Sequence, residues 1–151
     1  MTISRRAILA GSLVLTAGLV SRAGADSKPA VTVYKSATCG CCKLWVTHLK
    51  RKGFPVKAED VESLAPIKKQ HGVPDAMASC HTALVDGYVV EGHVPADLID
   101  RLLRERPDVA GIAVPGMPIG SPGMEVPGKP ADRYTIFAFD RAGTTTVFAT
   151  R

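Results

Sequence analysis

The chain has 151 residues, which points to one domain, and carries 19 basic and 14 acidic side chains for a net charge of +5. Arg5, Arg6 and Arg22 fall in a stretch that reads as a removable leader, and without them 16 basic side chains face 14 acidic ones, or +2. So small a surplus excludes the electrostatic footprint of a nucleic-acid binder.

The leader comes first. Ser4-Arg5-Arg6 is a basic start, Ala7 to Val20 is an apolar run, and Ala23-Gly24-Ala25 is a small-x-small cleavage site. The run falls short of the ~20 apolar residues that cross a bilayer. Residues 1–25 are therefore expected to be a secretory signal, with an uncleaved N-terminal anchor as the alternative. The paired arginines resemble a twin-arginine signal, although Ile8 stands where such signals prefer Phe. The expectation is export to the periplasm, with no membrane attachment after cleavage and residues 26–151 as the working domain.

Asp26 to Ala30 is a polar linker, and Val31-Thr32-Val33-Tyr34 is β-branched and aromatic, hence a strand. Thr38-Cys39-Gly40 turns the chain, with Thr38 a candidate N-cap. A helix is predicted from about Cys41 to Lys52, because Trp45, Val46 and Leu49 follow Cys42 at i+3, i+4 and i+7. Gly53 ends it, Phe54 to Ala58 is a second strand, and Ser63 to Gln70 is a short helix. Thr82 to Val85 and Tyr88 to Val90 flank Asp86-Gly87, a hairpin turn signal. A helix from Pro95 to about Arg106 buries Leu98, Ile99, Leu102 and Leu103 as one stripe.

The order β-α-β-α-β-β-α is that of an α/β, thioredoxin-like fold, with the cysteine motif between the first strand and first helix. A tail departs from it: Ala113 to Pro130 is a loop rich in Pro and Gly that contains Met117 and Met124, and Tyr134 to Phe139 with Thr144 to Ala149 form a C-terminal β-hairpin.

Four cysteines carry the chemistry: Cys39, Cys41, Cys42 and Cys80. Two bridges could form among them in three ways. Three of the four lie within four residues, where a bridge closes almost no loop and removes little entropy from the unfolded chain. The cluster suits reactivity better than stapling. The first turn of a helix offers unpaired N–H groups and a partial positive charge, and both favour thiolate. Cys39 and Cys42 have the C-x-x-C spacing of a redox dithiol, in which Cys39 would attack and Cys42 resolve. Cys41 breaks that pattern, whereas a soft metal can use all three sulfurs and bridge more than one ion.

Cys80-His81 precedes the third strand, where a thioredoxin-like fold faces the C-x-x-C pair, so both are candidate ligands. His93, just after the hairpin, borders the same end, and Glu91 is a candidate to orient its ring. Met117 and Met124 lie in Pro/Gly surroundings that no helical core stripe explains. Their thioethers are soft donors that favour Cu(I) over zinc. His48 is set too far along the helix from Cys41 to share one ion with it, and His71 suits a helix C-terminus.

Cys39-Gly40-Cys41-Cys42, Ser79-Cys80-His81-Thr82-Ala83, Val89-Val90-Glu91-Gly92-His93-Val94-Pro95 and Ala113-Val114-Pro115-Gly116-Met117-Pro118 together resemble the CopG-like family. These are exported proteins, long carried as a domain of unknown function and associated with bacterial copper resistance. The resemblance spans roughly Val31 to Val126. It implies a thioredoxin-like fold, a periplasmic location, and copper held by the motif cysteines with His or Met help, for copper homeostasis and for interconverting Cu(I) and Cu(II). Copper ions and other periplasmic copper-handling proteins are the partners this implies. The competing readings are a periplasmic thiol–disulfide oxidoreductase built on Cys39 and Cys42 and a structural zinc module. Tight copper binding requires no turnover, so the sequence leaves open whether the chain is an enzyme.

Overall fold

The structure, a computed structural model, describes residues 27–151. The expected signal and its cleavage site lie outside the described residues. Six strands and three helices follow the order read from the sequence: β1 (Val31–Lys35), α1 (Gly40–Arg51), β2 (Val56–Asp60), α2 (Ala65–Gln70), β3 (His81–Val85), β4 (Tyr88–Glu91), α3 (Ala96–Glu105), and a last hairpin of two strands. An additional short strand, β5 (Gly111–Ala113), precedes that hairpin, so its strands are β6 (Thr135–Phe139) and β7 (Thr145–Thr150). A single 3-10 turn, Asp75–Met77, lies between α2 and β3.

The seven strands make one mixed sheet in the order β2-β1-β3-β4-β5-β6-β7. β1 runs parallel to β2 and β4 parallel to β5, and the other neighbours are antiparallel. The β3–β4 hairpin turns on Asp86 (φ 46°) and Gly87 (φ 86°), both left-handed, the conformation that the Asp-Gly pair supplies.

Alternation along the strands sends side chains to two faces. Val31, Val33, Ala83, Val85, Val90, Ile112, Ile136 and Ala138 share the main core with Trp45, Val46 and Leu49 of α1 and with Leu98, Ile99 and Leu102 of α3. Val89, Ala113 and Phe139 face the opposite way and pack with Val73 and Met77 in a smaller cluster. The stripe predicted for α3 is buried at Leu98, Ile99 and Leu102, while Leu103 packs partly exposed at its margin.

Several boundaries differ from the sequence reading for local reasons. Cys39, rather than Thr38, is the N-cap of α1, and its sulfur accepts from the Cys42 N–H. Phe54 is buried in the α1–β2 turn, and β2 begins two residues later. β5 enters the start of the Pro/Gly segment because its three residues find a parallel partner in β4. No helix among the described residues is long and apolar enough to cross a membrane.

Candidate metal centre

The centre forms where β1 ends, α1 begins and the β3–β4 hairpin returns. Cys39 and Cys42 are joined by a disulfide, with Cα atoms 5.3 Å apart. One turn of helix is the right span for such a bridge. Cys42 is fully buried on the core face of α1, and Cys39 is half-buried at its tip. Cys41 and Cys80 remain free thiols.

The first turn of α1 brings the Cys41 Sγ to 3.5 Å from that of Cys39. Across 39 residues of chain, the Cys80 Sγ lies 4.0 Å from the Cys41 Sγ. The four sulfurs lie within 4.8 Å of one another. A second group shares Cys80: one ring nitrogen each from His81 and His93 lies with its Sγ inside the same 4.8 Å limit.

Strand parity aims the imidazoles. His81 has the same parity as Ala83 and Val85, so it points to the α1 face, where its ring centre lies 4.4 Å from that of Trp45. Its Nδ1 is 3.3 Å from the Cys80 Sγ. Burial, with the neighbouring His93 and Lys68 adding to it, pushes its pKa down to about 3, so the ring is neutral. Its Nε2 is buried and has no hydrogen-bond partner, an uncommon state for a buried polar atom.

His93 is placed by its neighbours. Gly92 has φ +72°, and a Cβ there would come 2.6 Å from Ser79 Oγ and 2.6 Å from the Val114 carbonyl. Only glycine lets the chain turn so tightly between β4 and His93. The Trp45 indole N–H donates to the Val94 carbonyl at 2.8 Å and ties the next residue to α1. His93 Nδ1 lies 2.8 Å from the Pro122 carbonyl, which can only accept, so Nδ1 carries the proton. Burial also lowers the pKa of His93. A neutral ring protonated at Nδ1 turns the lone pair of Nε2 toward the Cys80 Sγ, 3.0 Å away.

Burial first, then the neighbouring Cys41, pushes the Cys80 thiol up to about 12. Without metal the sulfur therefore keeps its proton and can donate it to His93. A cation replacing that proton would meet a thiolate and an imidazole lone pair together. The donor chemistry fits a metal in this pocket, where His81 Nδ1 and His93 Nε2 both flank the Cys80 sulfur.

The methionines separate. Met117 is 51% exposed. Met124 is half-buried in the loop that also supplies the Pro122 carbonyl. Gly123 (φ +89°) lays that loop on α1: a Cβ there would come 2.9 Å from both the Cys41 carbonyl and the Trp45 nitrogen. His48 stays away from the sulfurs and accepts the Ala96 N–H at the start of α3.

Glu91 does not orient His93. It is fully buried on the opposite face of the sheet, where it accepts from Lys68 Nζ, from Thr82 Oγ1 at 2.7 Å and from the Ser79 N–H at 2.6 Å. The network pins the residue before Cys80. A lone acid at a strand end gives no sequence signal for such a role, nor does the carbonyl of Pro122. A surface cavity of about 630 Å³ is lined by Lys68, Lys69, Pro74 and Arg141 among others and contains none of the candidate ligands.

A family model described as "Protein of unknown function, DUF411" matches residues 77–124, the stretch holding Cys80, His81, His93, Met117 and Met124. Two solved structures, entitled "Copper resistance protein copG- Form 1" and "Copper resistance protein copG- Form 2", are each 47% identical to this chain. Each alignment covers 82% of this chain and 98% of the other, with a TM-score of 0.77. No curated protein matches.

Proposed function

From its place in the family of copper resistance protein CopG, to which this chain belongs, we propose that it is an exported protein that binds copper through Cys39, Cys41, Cys42 and Cys80. His81, His93 and Met124 assist, and the more exposed Met117 joins when its loop folds over the sulfurs. The observation that carries this reading is the approach of the Cys80 Sγ to 4.0 Å from the Cys41 Sγ. A chain that did not gather these sulfurs could not share one ion among them, since metal–sulfur bonds are about 2.3 Å long. Four thiolates that close together favour a soft ion and suit bridging.

The surrounding architecture supports a thioredoxin-like reading. The C-x-x-C pair sits at the β1–α1 junction, β1 pairs with both β2 and β3, and the β3–β4 hairpin leads into α3. Copper resistance in the relatives and the leader-like residues 1–25 support a periplasmic site of action, buffering copper or cycling it between Cu(I) and Cu(II) and exchanging it with other copper-handling proteins there.

Anaerobic Cu(I) titration of the fully reduced protein, with bound metal counted by native mass spectrometry, tests the proposal. More than one copper per chain, lost on Cys→Ser substitution, is the expected result. Failure to retain Cu(I) against a competing chelator, or a single tightly held zinc in its place, sinks it.

The Cys39–Cys42 disulfide favours a second reading, thiol–disulfide exchange with Cys39 as the exposed sulfur and Cys42 as the buried one. Metal-free protein that reduces insulin rapidly, and still does so with Cys41→Ser and Cys80→Ser, would put this reading first.

A further inference from the structure

The two donor groups overlap at one atom. Cys80 belongs to the four-sulfur set with Cys39, Cys41 and Cys42, and also to the set with His81 and His93. The Cys39–Cys42 bridge acts on these sets unequally. A sulfur tied up in a disulfide is not a thiolate and makes a poor ligand. The bridge therefore removes half of the four-sulfur set and leaves Cys80, His81 and His93 untouched.

The two sets differ in softness. Four thiolates favour Cu(I), whereas one thiolate with two imidazoles is the donor combination that accommodates Cu(II) in trigonal copper sites. The residues of the second set are held rigidly. His93 is fixed by the Pro122 carbonyl through Nδ1 and presents Nε2 to the Cys80 Sγ at 3.0 Å. His81 is packed against Trp45 with its Nδ1 3.3 Å from the same sulfur. Both rings are fully buried.

We propose that the disulfide form of this protein holds a single Cu(II) through Cys80, His81 and His93, and that reduction of the Cys39–Cys42 bridge converts the centre to its thiolate-rich, Cu(I)-binding form. The inference rests on the copper-binding reading above. It assigns the bridge a selective role: the thiol–disulfide state of one turn of helix decides which oxidation state of copper the pocket prefers.

The conversion is a thiol–disulfide exchange with an external dithiol. A thiolate of the reductant attacks the half-buried Cys39 Sγ, the S–S bond breaks, and the Cys42 sulfur leaves and takes up a proton. The second thiol of the reductant then displaces Cys39 from the mixed disulfide. Two protein thiols and one oxidised reductant result, with two electrons and two protons transferred to the bridge.

The test uses the full chain in two states: the disulfide form, with its two free thiols counted before titration, and the same protein after dithiothreitol treatment and anaerobic removal of the reductant. Cupric sulfate is added to the first and Cu(I) to the second. The disulfide form is expected to take up about one Cu(II), with an intense visible sulfur-to-copper charge-transfer band and a matching paramagnetic signal. The band should vanish in Cys80→Ser, weaken in His93→Gln and persist in Cys41→Ser, with circular dichroism checking that each variant is folded. A band that survives Cys80→Ser, or no band at all, overturns the inference. So does loss of both free thiols without a paramagnetic signal, because two Cu(II) would then have oxidised Cys41 and Cys80 to a disulfide. If the reduced form also fails to bind Cu(I), the copper-binding reading fails as well; if it binds Cu(I) normally, only the selective role of the bridge is lost.

Discussion

The Cys80 Sγ lies 3.0 Å from Nε2 of His93, in a pocket where the imidazole is neutral and the thiol retains its proton. The contact joins residues thirteen apart, and it exists because β3 and β4 pair in register from Thr82–Glu91 to Val85–Tyr88. Cys80 is also the one residue common to both donor groups.

Cys80→Ser should therefore cost more copper affinity than loss of any other single candidate. Replacing even an outer partner of a metal ligand typically costs 10–100-fold, so loss of this sulfur should weaken Cu(I) binding by at least about 100-fold. Met117→Leu, at a half-exposed position, should change it by less than about tenfold. Competition against a chromophoric Cu(I) chelator ranks the two, and equal effects would remove Cys80 from the centre of the site.

Glu91 gives a prediction about stability and placement together. Its carboxylate is fully buried and is matched by Lys68 Nζ, Thr82 Oγ1 and the Ser79 N–H. Leaving one member of a buried pair without its partner costs about 3–5 kcal/mol. Glu91→Gln should lose stability on that scale in urea unfolding. Adding Lys68→Met should recover part of it, since no buried ammonium is then left unpaired. If the single and double variants are equally stable, the pair is not coupled. Loosening the Ser79 N–H should also lower copper affinity, although Glu91 touches no candidate ligand.

Gly92 and Gly123 separate folding from metal retention. Both need left-handed backbone, and both would force a Cβ against backbone atoms. Gly92→Ala strikes the Val114 carbonyl inside the sheet and should be strongly destabilising, beyond the ~1–3 kcal/mol of a strained residue alone. Gly123→Ala strikes the first turn of α1 from a loop, which can lift away. It should leave the melting temperature within a few degrees of the parent and speed copper loss to a chelator. A Gly123→Ala variant that unfolds cooperatively at much lower temperature would show the loop to be part of the core.

The parts of this centre visible in the sequence are those with local signatures. Three cysteines at a helix start, a Cys-His before a β-branched run and an Asp-Gly turn each announce themselves within a few residues. Which partner each group finds is a tertiary matter. Glu91 looked like a partner for His93 because the two are only two residues apart in sequence, but strand alternation sends Glu91 with Thr82 to the far face, toward Lys68. β5 has three residues in a Pro/Gly-rich context and becomes a strand only because β4 is beside it. The state of the cysteines was open as well: C-x-x-C spacing permits either a dithiol or the Cys39–Cys42 bridge that the structure contains.

His48 supplies a test by pH away from the sulfurs. Its Nε2 accepts the Ala96 N–H at 3.2 Å, capping α3 from the neighbouring helix in place of a local side chain. Burial first, and then Lys52, holds its pKa below 6.5, outweighing Glu125 and Asp97, which act in the opposite direction. The unfolded chain thus takes up a proton near pH 6.5 while the folded chain still refuses it. Stability contributed by the neutral ring is complete above pH 6.5 and is lost as pH falls from there toward the lowered folded value. Protonation would also remove the lone pair that accepts from Ala96. His48→Gln keeps an acceptor and does not titrate. It should match or fall slightly below the parent at pH 7.5, and its deficit should shrink or reverse by pH 5. Urea unfolding of both proteins across that range isolates His48, because His81 and His93 contribute equally to each. Parallel pH profiles would mean that the His48 ring is not held neutral by its place against α3.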